Sequence, residues 1–171
     1  MQLLQVVGYK NSGKTTLIEI LVKELAKRGF RAGTLKHHGH GGKPKLPPRA
    51  DSTRHAEAGA LVAGVEGEGT LQLTVQLDPG WKLEEVIRLY TFFALDLLLL
   101  EGFKSAPFPK LVCLRHEGDA GLLDLPEVVA AFSFNRELAS CFDICDPESY
   151  MKTLIMFLNE EPHAFHRQST V

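Results

Sequence analysis

Eight consecutive residues, Gly8, Tyr9, Lys10, Asn11, Ser12, Gly13, Lys14 and Thr15, match G-x-x-x-x-G-K-[ST] at every fixed position. The chemistry this run supports is phosphate binding. Glycines let the backbone curl until successive N–H groups face inward, and the N-terminus of a following helix adds its dipole to that concave set of donors. In this reading Lys14 reaches the β- and γ-phosphates and is the candidate catalytic side chain. The Thr15 hydroxyl is placed for Mg²⁺, and Thr16, one residue further, is placed for the α-phosphate.

A metal held by a threonine hydroxyl needs a carboxylate beside it. Asp96 and Glu101 bracket one run of leucines. In a sheet parallel to the first strand only the C-terminal strand ends lie near the phosphate loop, which favours Glu101 and leaves Asp96 roughly 13 Å behind. Asp51 is a second metal-side candidate, because the loop after the second strand can return it to the site. Lys36 ends that strand and is expected to point at the phosphates. His37, His38 and His40 put three imidazoles within four residues. They are compatible with capture of Ni²⁺ or Zn²⁺, with contacts to a substrate, or with a plain polar loop.

The elements that must position these side chains follow from periodicity. Leu3, Leu4, Val6 and Val7 form a continuous apolar run that stops at Gly8, as expected of a strand buried on both faces of a parallel sheet. From Thr15 the apolar residues Leu17, Ile18, Leu21, Val22, Leu25 and Ala26 recur at three and four, and Gly29 supplies a stop, so a helix follows the loop at once. Residues 30–35 read as a second strand, which makes the first 36 residues a βαβ unit with a right-handed crossover. Residues 36–50 are rich in Gly, Pro and His and read as a loop.

Asp51 is expected as the N-cap of a short helix through Ala58, followed by a strand over residues 60–65. After the Gly67-Glu68-Gly69 turn, Leu71, Leu73, Val75 and Leu77 alternate with polar residues, which marks an antiparallel strand at the sheet edge with one wet face. A helix is predicted over residues 83–94 and strands over residues 96–100, 111–114 and 128–132. Asp146-Pro147 opens a last helix, and the tail after Asn159 is expected to be loose. The sum is a single three-layer α/β domain over residues 1–171, a mostly parallel sheet with an antiparallel hairpin.

Composition narrows the partners. With 171 residues, 44% of them hydrophobic and 23% charged, and a mean hydropathy of -0.04, the chain sits in the ordinary globular range. Its three cysteines, Cys113, Cys141 and Cys145, lack a second pair for a four-ligand zinc site and read as buried, reduced thiols. Neither a membrane span nor a secretory leader is expected, which favours the cytoplasm. The net charge of -2 hides an asymmetry. Residues 1–54 carry 11 Lys+Arg against 3 Asp+Glu, a net of +8, and the remainder carries a net of -10. The basic third should meet an anion, but its charges are too dispersed and too poor in aromatic neighbours to suggest nucleic acid.

Three further stretches are more particular than the phosphate loop. They are the strand end Lys36-His37-His38, the segment from Asp51 to Ala60 with its D-x-x-R-H-x-x-x-G-A spacing, and the run Asp96-Leu97-Leu98-Leu99-Leu100-Glu101-Gly102-Phe103-Lys104. With these in order, the chain from about residue 1 to residue 110 resembles MobB, the molybdopterin-guanine dinucleotide biosynthesis adaptor family. The resemblance implies a homodimeric GTP-binding protein with weak GTPase activity that assists the molybdopterin guanylyltransferase, with molybdopterin as a possible ligand. It also implies GTP and Mg²⁺ as cofactors, assigns residues 8–16 to phosphates and Thr15 and Glu101 to the metal, and leaves Asp51, Arg54 and His55 as switch or partner residues. The N/T-K-x-D motif that reads guanine has no match, since Asn135-Arg136-Glu137-Leu138 lacks the aspartate. Relatives with paired active sites carry a lysine directly after the first glycine, whereas Lys10 stands one place later. The competing readings are a metallochaperone GTPase using His37, His38 and His40, and an ATP-dependent ligase resembling dethiobiotin synthetase, whose strand also ends in Glu-Gly.

Overall fold

In a computed structural model, residues 1–38, 42, 44 and 50–159 are described. The loose tail expected after Asn159, and His40, lie outside them. The chain divides into two compact units, Met1–Gly39 with Tyr90–Val171, and His40–Leu89.

The first unit is built on a six-stranded sheet. Its strands are β1 (Gln2–Gly8), β2 (Ala32–Lys36), β5 (Leu97–Glu101), β6 (Lys110–Leu114), β7 (Val128–Ser133) and β8 (Phe142–Asp143), in the spatial order β2-β5-β1-β6-β7-β8. Every pairing is parallel. The central strands carry near-continuous Val and Leu, the composition that survives burial on both faces. Residues 1–36 are therefore strand, helix and strand as expected, but β5 is inserted between β1 and β2 and pairs with both. Sequence proximity set the expectation, and the more apolar strand took the central place.

Helices α1 (Lys14–Lys27) and α4 (Pro147–Asn159) cover one face, with Leu17, Leu21, Leu25, Tyr150, Met151 and Leu154 packed on Leu4, Val6, Leu97, Leu99, Leu111 and Phe132. On the other face a 3₁₀ segment, Glu117–Asp124, brings Leu122 onto Val7, Val112 and Leu114. This segment and the two-residue β8 have no sequence signal of their own. Both are shorter in their apolar content than a window that shows a period. Among the described residues, no helix is long and apolar enough to cross a membrane.

The second unit holds α2 (Asp51–Glu57), β3 (Val62–Gly67), β4 (Thr70–Val75) and most of α3 (Leu83–Tyr90). Two expectations are corrected here. Asp51 opens the first turn of α2, and the N-cap is Ala50, without a side-chain cap. The strand over residues 70–75 does not join the edge of the main sheet. It pairs antiparallel with β3 in a separate two-stranded sheet. Its turn explains the closure, since Glu68 and Gly69 both have positive φ, at 50° and 79°, the conformation that matches the twist of a tight hairpin. The face bearing Leu71 and Leu73 is wet as well, with these side chains 58% and 55% exposed. Helix α3 ends at Tyr90 rather than Ala94, because Thr91–Phe93 tighten to a 3₁₀ turn and Ala94 is left-handed. Of the cysteines, Cys113 is buried as expected and Cys145 is exposed, in a turn where its N–H donates to Asp143 Oδ1 at 2.9 Å.

Candidate functional site

β1 delivers Gly8 to the C-terminal edge of the sheet, and the geometry there requires glycine. A Cβ on Gly8 would stand 2.6 Å from the Cys113 carbonyl oxygen of neighbouring β6. The chain then turns through Asn11 at φ 61° and Gly13 at φ 91°, and a Cβ on Gly13 would lie 2.6 Å from the Phe134 ring and 2.8 Å from Ile144 Cδ1. Both contacts are closer than a side chain tolerates, so Gly8 and Gly13 are fixed by packing as well as by the curl of the loop.

The loop ends on α1, whose first turn has no acidic residue and no side-chain cap. Its terminal N–H groups are the free donors that an anion satisfies. Beneath them Ser12 is buried, and its Oγ has no hydrogen-bond partner among the described residues. A buried hydroxyl without a partner carries a desolvation penalty. A concave ring of donors, an uncapped helix and an orphaned hydroxyl together fit a phosphate.

Lys14 donates from Nζ to the carbonyl oxygen of Tyr9 at 2.6 Å, which folds its side chain back over the loop. Burial pushes its pKa down, and the Lys36 and Lys104 charges add to the lowering while Glu101 opposes it. Under the loop, burial pushes the Cys113 thiol up to about 12, so it remains a neutral wall of the site.

At the end of β5, Glu101 is buried and meets both residues that sequence placed with it. Thr15 Oγ1 donates to Glu101 Oε1 at 3.2 Å, and Lys36 Nζ donates to the same oxygen at 2.6 Å. Lys36 Nζ also stands 3.4 Å from Thr15 Oγ1. A threonine hydroxyl facing a carboxylate is a pair of hard oxygen ligands of the kind Mg²⁺ takes, and here a lysine holds the carboxylate. Asp96, at the opposite end of the strand, accepts from the Arg31 backbone N–H at 2.7 Å, a structural bond consistent with its rejection as a metal ligand. Asp51 belongs to the 40–89 unit, where its carboxylate faces Arg54 Nη1 at 3.4 Å. A groove of about 500 Å³ opens beside Thr15, Lys36 and Glu101, walled by Ile18, Val22 and Leu35.

His37 donates its backbone N–H to the Glu101 carbonyl at 3.0 Å and lays its ring 4.8 Å from that of Phe103. Among the described residues no group of three or more His, Cys, Asp or Glu side chains is placed to hold a metal ion. In the run without a guanine motif, Asn135 Oδ1 accepts from the Glu137 N–H at 3.0 Å and Arg136 pairs with Asp143 at 2.6 Å. That loop reaches the phosphate loop through Phe134.

Three side chains of this region are not among the site residues assigned from the sequence. Lys104 Nζ and the Arg115 guanidinium lie 4.3 Å and 5.2 Å from the centre of the Tyr9 ring. Gln5, a polar residue in the middle of β1, is fully buried, donates to the carbonyl oxygens of Gly102 and Phe103 at 3.2 and 2.6 Å, and accepts from the Phe108 N–H at 3.3 Å. A single Gln inside an apolar run was the available hint. Gln5→Leu removes this partner from the Gly102 carbonyl and the Phe108 N–H, while the Phe103 carbonyl keeps the Ala106 N–H at 2.8 Å, and should cost about 1–3 kcal/mol, read as a drop of several degrees in Tm. An unchanged Tm would mean that the turn after β5 is held by other contacts.

The same architecture occurs in known proteins. The family model described as "Molybdopterin guanine dinucleotide synthesis protein B", MobB, matches residues 3–133. The chain belongs to the MobB family. It is 45% identical over 136 residues to a probable molybdopterin-guanine dinucleotide biosynthesis adapter protein of Bacillus subtilis, covering 79% of this chain and 78% of that one. The identity to the adapter protein of Escherichia coli is 26% over 166 residues, covering 93% and 94%. Among solved structures, Bacillus subtilis MobB superposes with a TM-score of 0.75 at 38% identity, covering 95% of this chain and 100% of that chain. A MobB homologue from Bacillus stearothermophilus gives 0.71 at 37%, covering 92% and 98%. The six-stranded parallel sheet with its separate hairpin is therefore a MobB fold, of the P-loop α/β kind.

Proposed function

We propose that this MobB-family chain is a nucleotide-binding adapter of molybdopterin-guanine dinucleotide biosynthesis, which binds GTP with Mg²⁺, hydrolyses it slowly and works beside the guanylyltransferase. The observation that carries the nucleotide reading is the meeting of Thr15, Lys36 and Glu101 at the mouth of an uncapped glycine loop, with distances of 2.6 to 3.4 Å. The adapter role comes from the relatives named above.

In this reading the N–H groups of residues 8–16 bind the phosphates, with Gly8, Tyr9, Lys10, Asn11, Ser12 and Gly13 as the cradle and Thr16 towards the α-phosphate. Lys14 swings from the Tyr9 carbonyl to the β- and γ-phosphates. Thr15 and Glu101 would hold the metal, and Lys36, now on the Glu101 carboxylate, is within reach to serve a phosphate oxygen instead. Asp51 is kept as the second candidate for a metal-side carboxylate. When bound, Mg²⁺ neutralises charge on the β- and γ-phosphates. Among the described residues no glutamine or arginine is placed to orient water, and Arg115 is engaged with Asp119 at 2.8 Å, so hydrolysis by the lone chain is slow. A competition titration of GTP against ATP with Mg²⁺ tests the reading. Preference for GTP is expected, and tight binding of neither nucleotide would refute it.

The functional form in this proposal is a cytoplasmic homodimer. Its support is the apolar face of the hairpin, where Val62, Leu71 and Leu73 are each more than half exposed. Such a face on an unpaired two-stranded sheet is a self-association surface, and covering each leucine contributes roughly 1 kcal/mol. Leu73→Asp should shift the mass seen by light scattering from dimer to monomer with nucleotide affinity unchanged. A monomeric native chain would end the dimer proposal.

A further inference from the structure

The turn that follows Glu101 is held far more firmly than a connection between two parallel strands requires. Gly102 and Phe103 are both left-handed, at φ 93° and 54°, and a phenylalanine in that region stores backbone strain. Two fully buried polar side chains hold the turn in place. Gln5 binds the carbonyls of Gly102 and Phe103, and Lys110 donates from Nζ to the carbonyls of Ala106 and Phe108 at 2.9 Å each. Burial pushes the pKa of Lys110 down, so a charge is being spent on fixing the backbone. His37 adds its ring against Phe103.

The side chain this scaffold presents is Lys104. It is exposed, and its Nζ lies 4.3 Å from the centre of the Tyr9 ring, above the second residue of the phosphate loop. Among the described residues it has no acidic partner. Arg115 approaches the same ring but differs in this respect. Its guanidinium makes two bonds of 2.8 Å to Asp119, and those bonds hold the Asp119 carboxyl well below the usual carboxylate range. Of the two cations at Tyr9, Lys104 is the one without an ion pair among the described residues. Its position also selects which phosphate it can meet. Lys104 stands three residues after the metal-side carboxylate, and it shares the Tyr9 corner of the loop with Lys14, whose Nζ bonds the Tyr9 carbonyl and which is the side chain read as reaching the β- and γ-phosphates.

We propose that Lys104, carried on the Glu-Gly-Phe-Lys turn, contacts the terminal phosphate of the bound nucleotide and makes the site prefer a triphosphate to a diphosphate. This rests on the nucleotide-binding reading above. The stacking on Tyr9 parks the ammonium beside the loop, and the terminal phosphate draws it off the ring into a charge-assisted hydrogen bond.

The test uses the full chain with Mg²⁺ and titrates a non-hydrolysable imido analogue of GTP and, separately, GDP. Lys104→Ala should lose about tenfold or more in affinity for the triphosphate analogue, with GDP affinity within about twofold, and Lys104→Arg should restore most of the difference. Lys152→Ala, which removes the same charge from the exposed side of α4, should leave both affinities unchanged. Equal losses for both nucleotides would make Lys104 a diffuse contributor to the local field and overturn the proposal, as would no loss for either. Binding of neither nucleotide by the native chain would instead overturn the nucleotide reading, and this proposal with it.

Discussion

Replacing Lys14 by alanine should lower nucleotide affinity about 100-fold or more while leaving the melting temperature within a few degrees of the native value. The separation of the two effects follows from what the side chain touches. Among the described residues its Nζ bonds the Tyr9 carbonyl, on the same loop, whereas α1 is anchored by Leu17, Ile18, Leu21 and Leu25, all buried. Alanine is also the best helix former, so the helix loses nothing intrinsic. Burial lowers the pKa of Lys14, which means that its ammonium is held where water solvates it incompletely. A phosphate supplies the missing counter-charge, and each charge-assisted bond is worth about 1.5–3 kcal/mol, so two of them account for the expected loss. Titration calorimetry and a thermal melt on the same preparation check both halves. Retained affinity would remove Lys14, and with it the phosphate loop, from the proposed site.

The site was legible where the determinants are local or where topology is strict. Gly8 to Thr15 lie in one stretch, and the rule that parallel strands end at a common edge placed Lys36 and Glu101 with Thr15 although they come from three separate strands and helices. The same rule rejected Asp96. What sequence did not give depends on contacts across the fold. Gln5 acts on a turn 97 residues away, and Lys104 reaches Tyr9 across a similar gap, so neither contact leaves a period to read. The hairpin was misplaced for a related reason. Alternation of Leu71, Leu73 and Val75 predicts a strand with one apolar face, but it is silent on which strand pairs with it, and the Glu68-Gly69 turn closes it on β3 alone.

Glu101→Gln should abolish most of the enhancement that Mg²⁺ gives to nucleotide binding, about tenfold or more, and leave binding in EDTA unchanged or slightly tighter. The carboxylate and the Thr15 hydroxyl are 3.2 Å apart, and the amide keeps that spacing and the volume while losing the charge that a hard dication requires. The sign in EDTA decides the interpretation. Without metal, a carboxylate near the terminal phosphates repels them, and it also ties up Lys36 at 2.6 Å. Removing the charge relieves the repulsion and frees the lysine for the nucleotide, so the metal-free complex gains, or loses nothing, as the metal-bound one weakens. Thr15→Ala should lose the Mg²⁺ enhancement as well, without that gain, since the hydroxyl carries no charge to relieve. Equal weakening of both variants with and without Mg²⁺ would show that Thr15 and Glu101 hold the loop in shape rather than the metal in place.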